Sequence, residues 1–115
     1  MTTKRGDVVL VQFPRSDLRG YDRRPALVVQ ADGLGTTLPQ LVLAMITSNL
    51  ARSGHRSRVF VPVASPIGTA SGLLMDSVIM TDNLATVLLK AIQSVIGSIP
   101  DLTAVDAALR HTLGL

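Results

Sequence analysis

The chain has 115 residues, of which 47% are hydrophobic, enough to build one core and therefore a single domain over residues 1–115. Aromatic residues make up only 3%, so the core must be aliphatic, and the many Val and Ile residues favour strands. The absence of cysteine excludes disulfides, thiolate metal sites and a cysteine nucleophile. The polar start and the lack of an apolar run near the roughly 20 residues that span a bilayer predict a cytoplasmic protein with no membrane partner.

Charge is divided unevenly along the chain. Residues 1–58 contain nine Lys and Arg against four Asp, and residues 59–115 contain two against four, which together make the eleven basic and eight acidic residues. Most of the basic residues are Arg, whose planar guanidinium pairs well with phosphate. A basic half of this kind indicates an anionic partner, nucleic acid first, although charge alone leaves an ordinary solvated surface open.

Three strands are predicted in the first half: Asp7–Phe13, Ala26–Gln30 and Leu41–Ile46. Pro14 closes the first strand, and Arg24-Pro25 opens the second. Thr47-Ser48 ends the third. The stretches between these strands are polar, and residues 15–23 are the densest basic segment of the chain. A second basic loop is predicted over residues 49–57.

The second half predicts shorter elements: an edge strand at Arg58–Val63, a turn-forming stretch at Ser65–Gly72, and two short strands at Ser77–Met80 and Thr86–Ile92. The polar sequence Thr81-Asp82-Asn83 is interpreted as the turn between those last two strands. Gly97 is expected to break the pattern before the final element.

One helix is predicted, from Pro100 to the residue before Gly114. Pro100 suits a first turn, and Asp101 complements the positive end of a helix. Its apolar stripe is formed by Leu102, Val105, Leu109 and Leu113. A run of short strands followed by one helix predicts a mainly β fold, a small antiparallel barrel with a C-terminal α-helix.

Several catalytic patterns are missing from the sequence. It has no Gly-rich phosphate loop followed by Lys, no GxSxG, and no pair of His residues at metal-ligand spacing, so His55 and His111 are assigned solvated or packing roles. Metal-dependent nucleases cluster their carboxylates, and those of the second half are scattered. We therefore expect no metal and no cofactor.

Two residues remain as candidates for chemistry. An Arg that faces a cleft, as Arg24 would at the start of its strand, can neutralise a phosphorane-like transition state. The Thr47 hydroxyl can orient a phosphate oxygen or a nucleophile, and RNA supplies its own nucleophile, the 2′-hydroxyl. The residues alone leave open that Arg24 and Thr47 are structural.

Five segments, KRGDVVLVQFP, RRPALVVQ, LVLAMITS, MDSVIMTDNLATV and the final helix ending in LGL, together resemble the MazF/PemK toxin family along essentially the whole chain. The resemblance implies an SH3-like barrel, a homodimer, and the toxin role in a type II toxin–antitoxin system. It also implies sequence-specific, metal-independent cleavage of single-stranded RNA by 2′-OH attack, which leaves a 2′,3′-cyclic phosphate and a 5′-hydroxyl. A cognate antitoxin protein is the implied partner that covers the RNA site.

By position, the resemblance implies that Arg24, Thr47 and Asp82 are catalytic. The residues expected to contact RNA are Arg15, Arg19, Arg23, Ser48, Arg52, Arg56 and Asn83. The chain departs from the family pattern at Met80 and Ala85, where other members carry Arg, and in the loop before Arg24. Two alternatives follow: a toxin of the same fold that poisons a protein such as DNA gyrase, and an RNA-binding remnant without activity.

Overall fold

The chain is described over residues 2–115 by a computed structural model. Its strands are β1 (Asp7–Pro14), β2 (Tyr21–Val28), β3 (Gln40–Thr47), β4 (Arg58–Val61), β5 (Ser77–Leu88) and β6 (Ile92–Ser98). Its helices are α1 (Pro66–Ser71) and α2 (Thr103–Leu113). No helix in these residues is long and apolar enough to cross a membrane.

The strands form one antiparallel sheet in the order β4-β5-β3-β2-β1-β6. The edge strands β4 and β6 do not pair with each other within residues 2–115, so hydrogen bonds do not close the sheet into a barrel. The predicted mainly β fold with antiparallel strands and a C-terminal helix is confirmed. The predicted edge position of the strand that begins at Arg58 is confirmed as well.

The core is divided between the two faces of the sheet. Successive side chains of a strand point to opposite faces, so β1 contributes to both clusters. Val8 packs with Leu27 and with Val105 of α2 on one face. Val9 and Phe13 belong to the cluster on the other face. This second face also carries Arg24, because Arg24 lies opposite Val11 in the β1–β2 register.

The prediction that β2 begins after Arg24-Pro25 is wrong. The strand starts at Tyr21, and its ladder with β1 includes the stretch that sequence alone assigned to a loop. On its other side, β2 pairs with β3 only from Ala26 onward, and Pro25 has no N–H with which to extend that ladder. Arg24 therefore lies within a strand, at the point where β2 separates from β3.

The prediction of a turn at Thr81-Asp82-Asn83 is also wrong, because β5 continues through these residues. The β3–β5 register changes there from Met45↔Met80 to Ala44↔Leu84, so residues 81–83 are an insertion in β5 without partners on β3. The Thr81 hydroxyl donates to the Ser57 carbonyl at 2.6 Å. Ties of this kind to neighbouring elements keep a polar segment inside the strand.

Residues 65–72 form the helix α1 rather than a turn. The Ser65 hydroxyl accepts from the Gly68 N–H at 3.0 Å, which caps the helix start. β6 was not predicted, because Gly97 was interpreted as a breaker. In the structure, the missing side chain of Gly97 lets β6 lie directly against the backbone of Ser71.

The final helix begins at Thr103, three residues later than predicted. Asp101 accepts from the Thr103 hydroxyl at 2.7 Å and from the Thr103 N–H at 3.0 Å, and these bonds hold the pKa of its carboxyl below the usual range. Gly114 ends the helix in a left-handed conformation, as predicted. Leu113 was expected to face the core but is 53% exposed, and Ala108 is buried instead.

Candidate active site

A cavity of about 330 Å³ opens on the face of the sheet where β2 leaves β3; we call it the Arg24 cavity. Its polar lining consists of Arg15, Ser16, Asp17, Asp22, Arg24 and Asn83. Its apolar lining consists of Phe13, Pro14, Met45 and Met80. Four elements contribute to it: β2, β3, β5, and β1 with the loop that follows.

Arg24 carries the charge best placed for chemistry in this cavity. Its Nη2 lies 3.5 Å from Oδ2 of Asp22, two residues earlier on the same face of β2, and both side chains are 43% exposed. A long, half-exposed ion pair contributes little stability. The guanidinium of Arg24 is therefore available to exchange this carboxylate for another anion.

Arg15 adds a second guanidinium at the rim. Its Nη2 lies 3.4 Å from Asp17 Oδ2, again in an exposed pair. Asp17 also accepts from the backbone N–H of Arg19 at 2.9 Å, which shapes the turn before β2. Leu18, at the tip of the turn, has a φ of 62°. Two arginines on one cavity match the bidentate geometry of phosphate.

The floor of the cavity is apolar where β3 and β5 meet. Met45 and Met80 lie opposite each other in the register and both line the cavity. The Asn83 amide donates from Nδ2 to the sulfur of Met45 at 3.4 Å. Met80 contributes to this apolar floor.

Thr47 ends β3, as predicted, and its Oγ1 accepts from the Asn49 N–H at 3.1 Å. The β2–β3 ladder ends at Ala26↔Met45, before it reaches Arg24 and Thr47, and Thr47 is not among the residues that line the Arg24 cavity. Ser48 and Arg24 both line a second cavity of about 470 Å³, which is mostly apolar. The structure thus brings Ser48 together with Arg24, and Thr47 lies at the end of the neighbouring strand.

Asp82 is bound by Arg58 and Ser57, outside the Arg24 cavity. Its Oδ1 lies 2.9 Å from Nε of Arg58, and its Oδ2 accepts from Nη2 of Arg58 at 3.1 Å and from the Ser57 hydroxyl at 3.3 Å. The Arg58 side chain is only 11% exposed. Asp82 is not among the residues that line the Arg24 cavity. The structure therefore does not bring it together with Arg24.

The remaining predicted RNA contacts are spread over the surface. Arg23 lies opposite Gln12 on β1 and points to the other face of the sheet from Arg24. Arg19 is exposed in the turn. Arg52 lies in the loop before β4, and Arg56 lines a groove beside α2 together with His111. Of the seven predicted contacts, Arg15 and Asn83 share the cavity with Arg24.

Sequence reasoning missed Asp22 as the partner of Arg24 and Arg58 as the partner of Asp82. Asp22 stands two residues before Arg24, so the two-residue period of a strand predicts a shared face once β2 is known to begin at Tyr21. Arg58 as the partner of Asp82 has no such local signal, because the two are brought together by the β4–β5 ladder. Within residues 2–115, no three His, Asp or Glu side chains form a group that could hold a metal ion.

Solved structures with the same fold include proteins from mycobacteria and from Deinococcus radiodurans. An endoribonuclease from a mycobacterial species, in complex with its cognate antitoxin, superposes with a TM-score of 0.74 at 22% identity, covering 99% of this chain and 97% of that one. MazF from Deinococcus radiodurans gives a TM-score of 0.74 at 21% identity, covering 100% and 99%. The MazE–MazF complex from the same organism gives 0.73 at 20% identity, covering 100% and 99%. At these identities the likeness shows the fold.

The sequence itself decides the family. No curated protein is significantly similar to the chain over its sequence. The model of the PemK-like, MazF-like toxins of type II toxin–antitoxin systems, however, matches residues 4–113. Nearly the whole chain is included in this match, with β1, the Arg24-Pro25 segment, Thr47 and the final helix. This protein therefore belongs to the PemK-like, MazF-like family of type II toxins.

Proposed function

We propose that this chain is a metal-independent endoribonuclease that cuts single-stranded RNA sequence-selectively and serves as the toxin of a toxin–antitoxin pair. The observation that carries the proposal is the loosely paired guanidinium of Arg24. It lines a cavity with a second arginine, Arg15, and within residues 2–115 its only charged partner is a half-exposed carboxylate at 3.5 Å. A phosphate of the RNA backbone can replace that carboxylate.

The reaction needs little from the protein. The 2′-oxygen attacks the adjacent phosphorus, the bond from phosphorus to the 5′-oxygen breaks, and the products are a 2′,3′-cyclic phosphate and a 5′-hydroxyl. Arg24 stabilises the five-coordinate phosphorus, whose oxygens carry more charge than in the ground state. The Thr47 hydroxyl, at the end of the neighbouring strand β3, orients a phosphate oxygen.

One proton must leave the 2′-hydroxyl and one must reach the 5′-oxygen. Once phosphate takes its place on Arg24, Asp22 is the carboxylate beside the reacting group and can accept the first proton. Solvent water supplies the second proton to the leaving 5′-oxygen. Asp82 has the same chemistry, but it is engaged by Arg58 and Ser57. Its catalytic role, which the family resemblance implied, stays a prediction.

Two protein partners belong to the same proposal: a second copy of this chain and a cognate antitoxin. The mostly apolar second cavity beside Arg24 supports a protein partner, since Leu74 and Met75 on its wall are 92% and 56% exposed. Exposed apolar patches of this kind mark interaction sites. Sedimentation at micromolar concentration should show a dimer, and a species of 12.2 kDa alone would contradict it.

The test is incubation of the purified protein with a long single-stranded RNA in excess chelator. The proposal expects discrete fragments that end in a 2′,3′-cyclic phosphate on one side of each cut and a 5′-hydroxyl on the other. Binding without fragments would instead identify an RNA-binding remnant. If the protein neither binds nor cleaves the RNA, that result would contradict any RNA role and would favour a protein target.

A further inference from the structure

The Asn83 amide has hydrogen-bonding capacity that the protein does not use. Within residues 2–115, its one side-chain hydrogen bond is the 3.4 Å contact from Nδ2 to the Met45 sulfur, and sulfur is a weak acceptor. The amide oxygen accepts nothing from these residues. A side-chain amide offers two donor hydrogens and a carbonyl acceptor. Asn83 is half-buried and lines the Arg24 cavity.

The surface around this amide is apolar, although the cavity has charged walls. Met45 and Met80 form the floor on which Asn83 rests, and both are only partly buried. Thioether side chains are polarisable and make favourable contacts with aromatic rings. The cavity thus offers a flat ring a place to lie, with an amide at its edge.

Asn83 is already expected to contact RNA; we infer further that the Met45–Met80 floor and the Asn83 amide form a subsite for one unpaired nucleobase, and that Asn83 reads the edge of that base. The inference rests on the proposed function and deepens it by naming the group that selects the RNA sequence. Every nucleobase presents a hydrogen-bond donor beside an acceptor, and an amide can match such a pair with two bonds. The arrangement of donor and acceptor decides which base fits best.

The position of the subsite follows from the arginines. Arg24 and Arg15 line the same cavity as Asn83, so a base seated there belongs to a nucleotide next to the phosphate that Arg24 binds. A cavity of about 330 Å³ is near the lower limit of the roughly 300–1,000 Å³ of ligand sites and accommodates one nucleotide rather than several. Asn83 therefore selects the base at one position beside the cut.

The experiment compares the cut sites of wild-type protein, Asn83→Ala and Asn83→Asp on a pool of single-stranded RNA with randomised sequence. Wild type should prefer one base or pair of bases at a position beside the cut. A bidentate contact discriminates by roughly 5- to 150-fold, and Asn83→Ala should reduce the preference at that position to near unity while cleavage continues. Preferences at the other positions should be retained.

Asn83→Asp keeps the size of the side chain but makes it an acceptor only. Guanine is the base with two adjacent donors on its Watson–Crick edge, so this variant should shift the preference at the same position toward guanine. The matched control is Gln93→Ala, which removes an exposed amide on β6, outside the Arg24 cavity. Its preferences should equal those of wild type.

A wild-type preference that both Asn83 variants leave unchanged at every position would overturn the inference, as would wild-type cleavage without preference at any position. Binding of short oligonucleotides with a 2′-deoxy position at the cut separates the two proposals. Binding that depends on the base and on Asn83, in a protein that cuts no RNA, would support base reading and contradict the nuclease. Cleavage without base-dependent binding would support the nuclease and contradict base reading.

Discussion

Two of the arginine–aspartate pairs in residues 2–115, Arg58–Asp82 and Arg24–Asp22, differ in how tightly each arginine is held. Arg58 contacts both carboxylate oxygens of Asp82, at 2.9 and 3.1 Å, and is 11% exposed. Arg24 makes one contact with Asp22, at 3.5 Å, and is 43% exposed. The first pair connects neighbouring strands, β4 and β5, whereas the second lies along a single strand and connects nothing.

We propose that this difference separates a structural arginine from a functional one. Arg58 is largely shielded from water, although Asp82 is 38% exposed, and loss of a partner from such a pair costs stability. A monodentate, half-exposed pair contributes little to folding. On this proposal Arg24 contributes little to the fold and can bind a substrate, whereas Arg58 is needed by the fold.

The largest effect is expected at Arg24. Arg24→Ala should lower the cleavage rate by about 10²–10³-fold or more, because a preorganised donor to the transition state is lost. Arg24→Lys should recover little, since an ammonium does not present the planar pair of donors. Single-turnover rates on one RNA measure both. Affinity for a non-cleavable RNA should fall far less, and an equal loss in binding would show that Arg24 binds substrate without favouring the transition state.

A smaller effect is expected at Thr47. Its hydroxyl accepts from the Asn49 N–H in the free protein, so its own proton is available to a phosphate oxygen. Thr47→Ala should slow cleavage by roughly tenfold to a hundredfold, the range of a hydrogen bond to a charged group. Thr47→Ser retains the hydroxyl and should be close to wild type. If Thr47→Ala and Thr47→Ser cut RNA at equal rates, the hydroxyl has no role in the mechanism.

Arg58→Ala should change stability and leave the chemistry alone. Loss of the guanidinium leaves the Asp82 carboxylate without its main partner, and we expect a cost of about 1–2 kcal/mol in the free energy of unfolding. The melting temperature should fall by about 4 °C or more. The cleavage rate per folded molecule should stay near wild type. A stable Arg58→Ala protein with little activity would instead indicate that Arg58 and Asp82 belong to the active site.

The smallest effects concern the exposed arginines. Each phosphate that one of them neutralises contributes about −0.7 to the slope of log affinity against log salt on a single strand. Arg15→Ala should therefore reduce the slope by about that amount, and Arg56→Ala tests whether RNA extends to the groove beside α2. Arg110→Ala, an exposed arginine on α2, is the control and should leave the slope unchanged. Affinity that does not depend on salt would contradict a basic RNA surface.

Much of the fold could be predicted because its signals are local. The apolar runs of β1 and β3, the proline after β1 and the glycine after α2 each act within a few residues. Errors arose where tertiary contacts override local composition. The polar residues 81–83 have the composition of a turn, but β5 continues through them between its pairs Met45↔Met80 and Ala44↔Leu84, and Thr81 is hydrogen-bonded to the Ser57 carbonyl.

The candidate site could be predicted only in part for the same reason. Arg24 and Thr47 were proposed from their segments, and they lie on β2 and β3 beyond the last paired residues of those two strands. The start of β2 was placed too late, because residues 21–24 are polar and read as loop. That error concealed Asp22 as the partner of Arg24. The role of Arg58 depends on a ladder between strands, which no pattern within one segment encodes.

The most direct test of this account measures Arg24→Ala and Arg58→Ala side by side, each for melting temperature and for cleavage rate per folded molecule on the same RNA in excess chelator. The account predicts a crossed result: Arg24→Ala melts like wild type and hardly cuts, and Arg58→Ala melts several degrees lower and cuts normally. A folded Arg24→Ala protein that cuts at the full rate would contradict it and place the active site elsewhere.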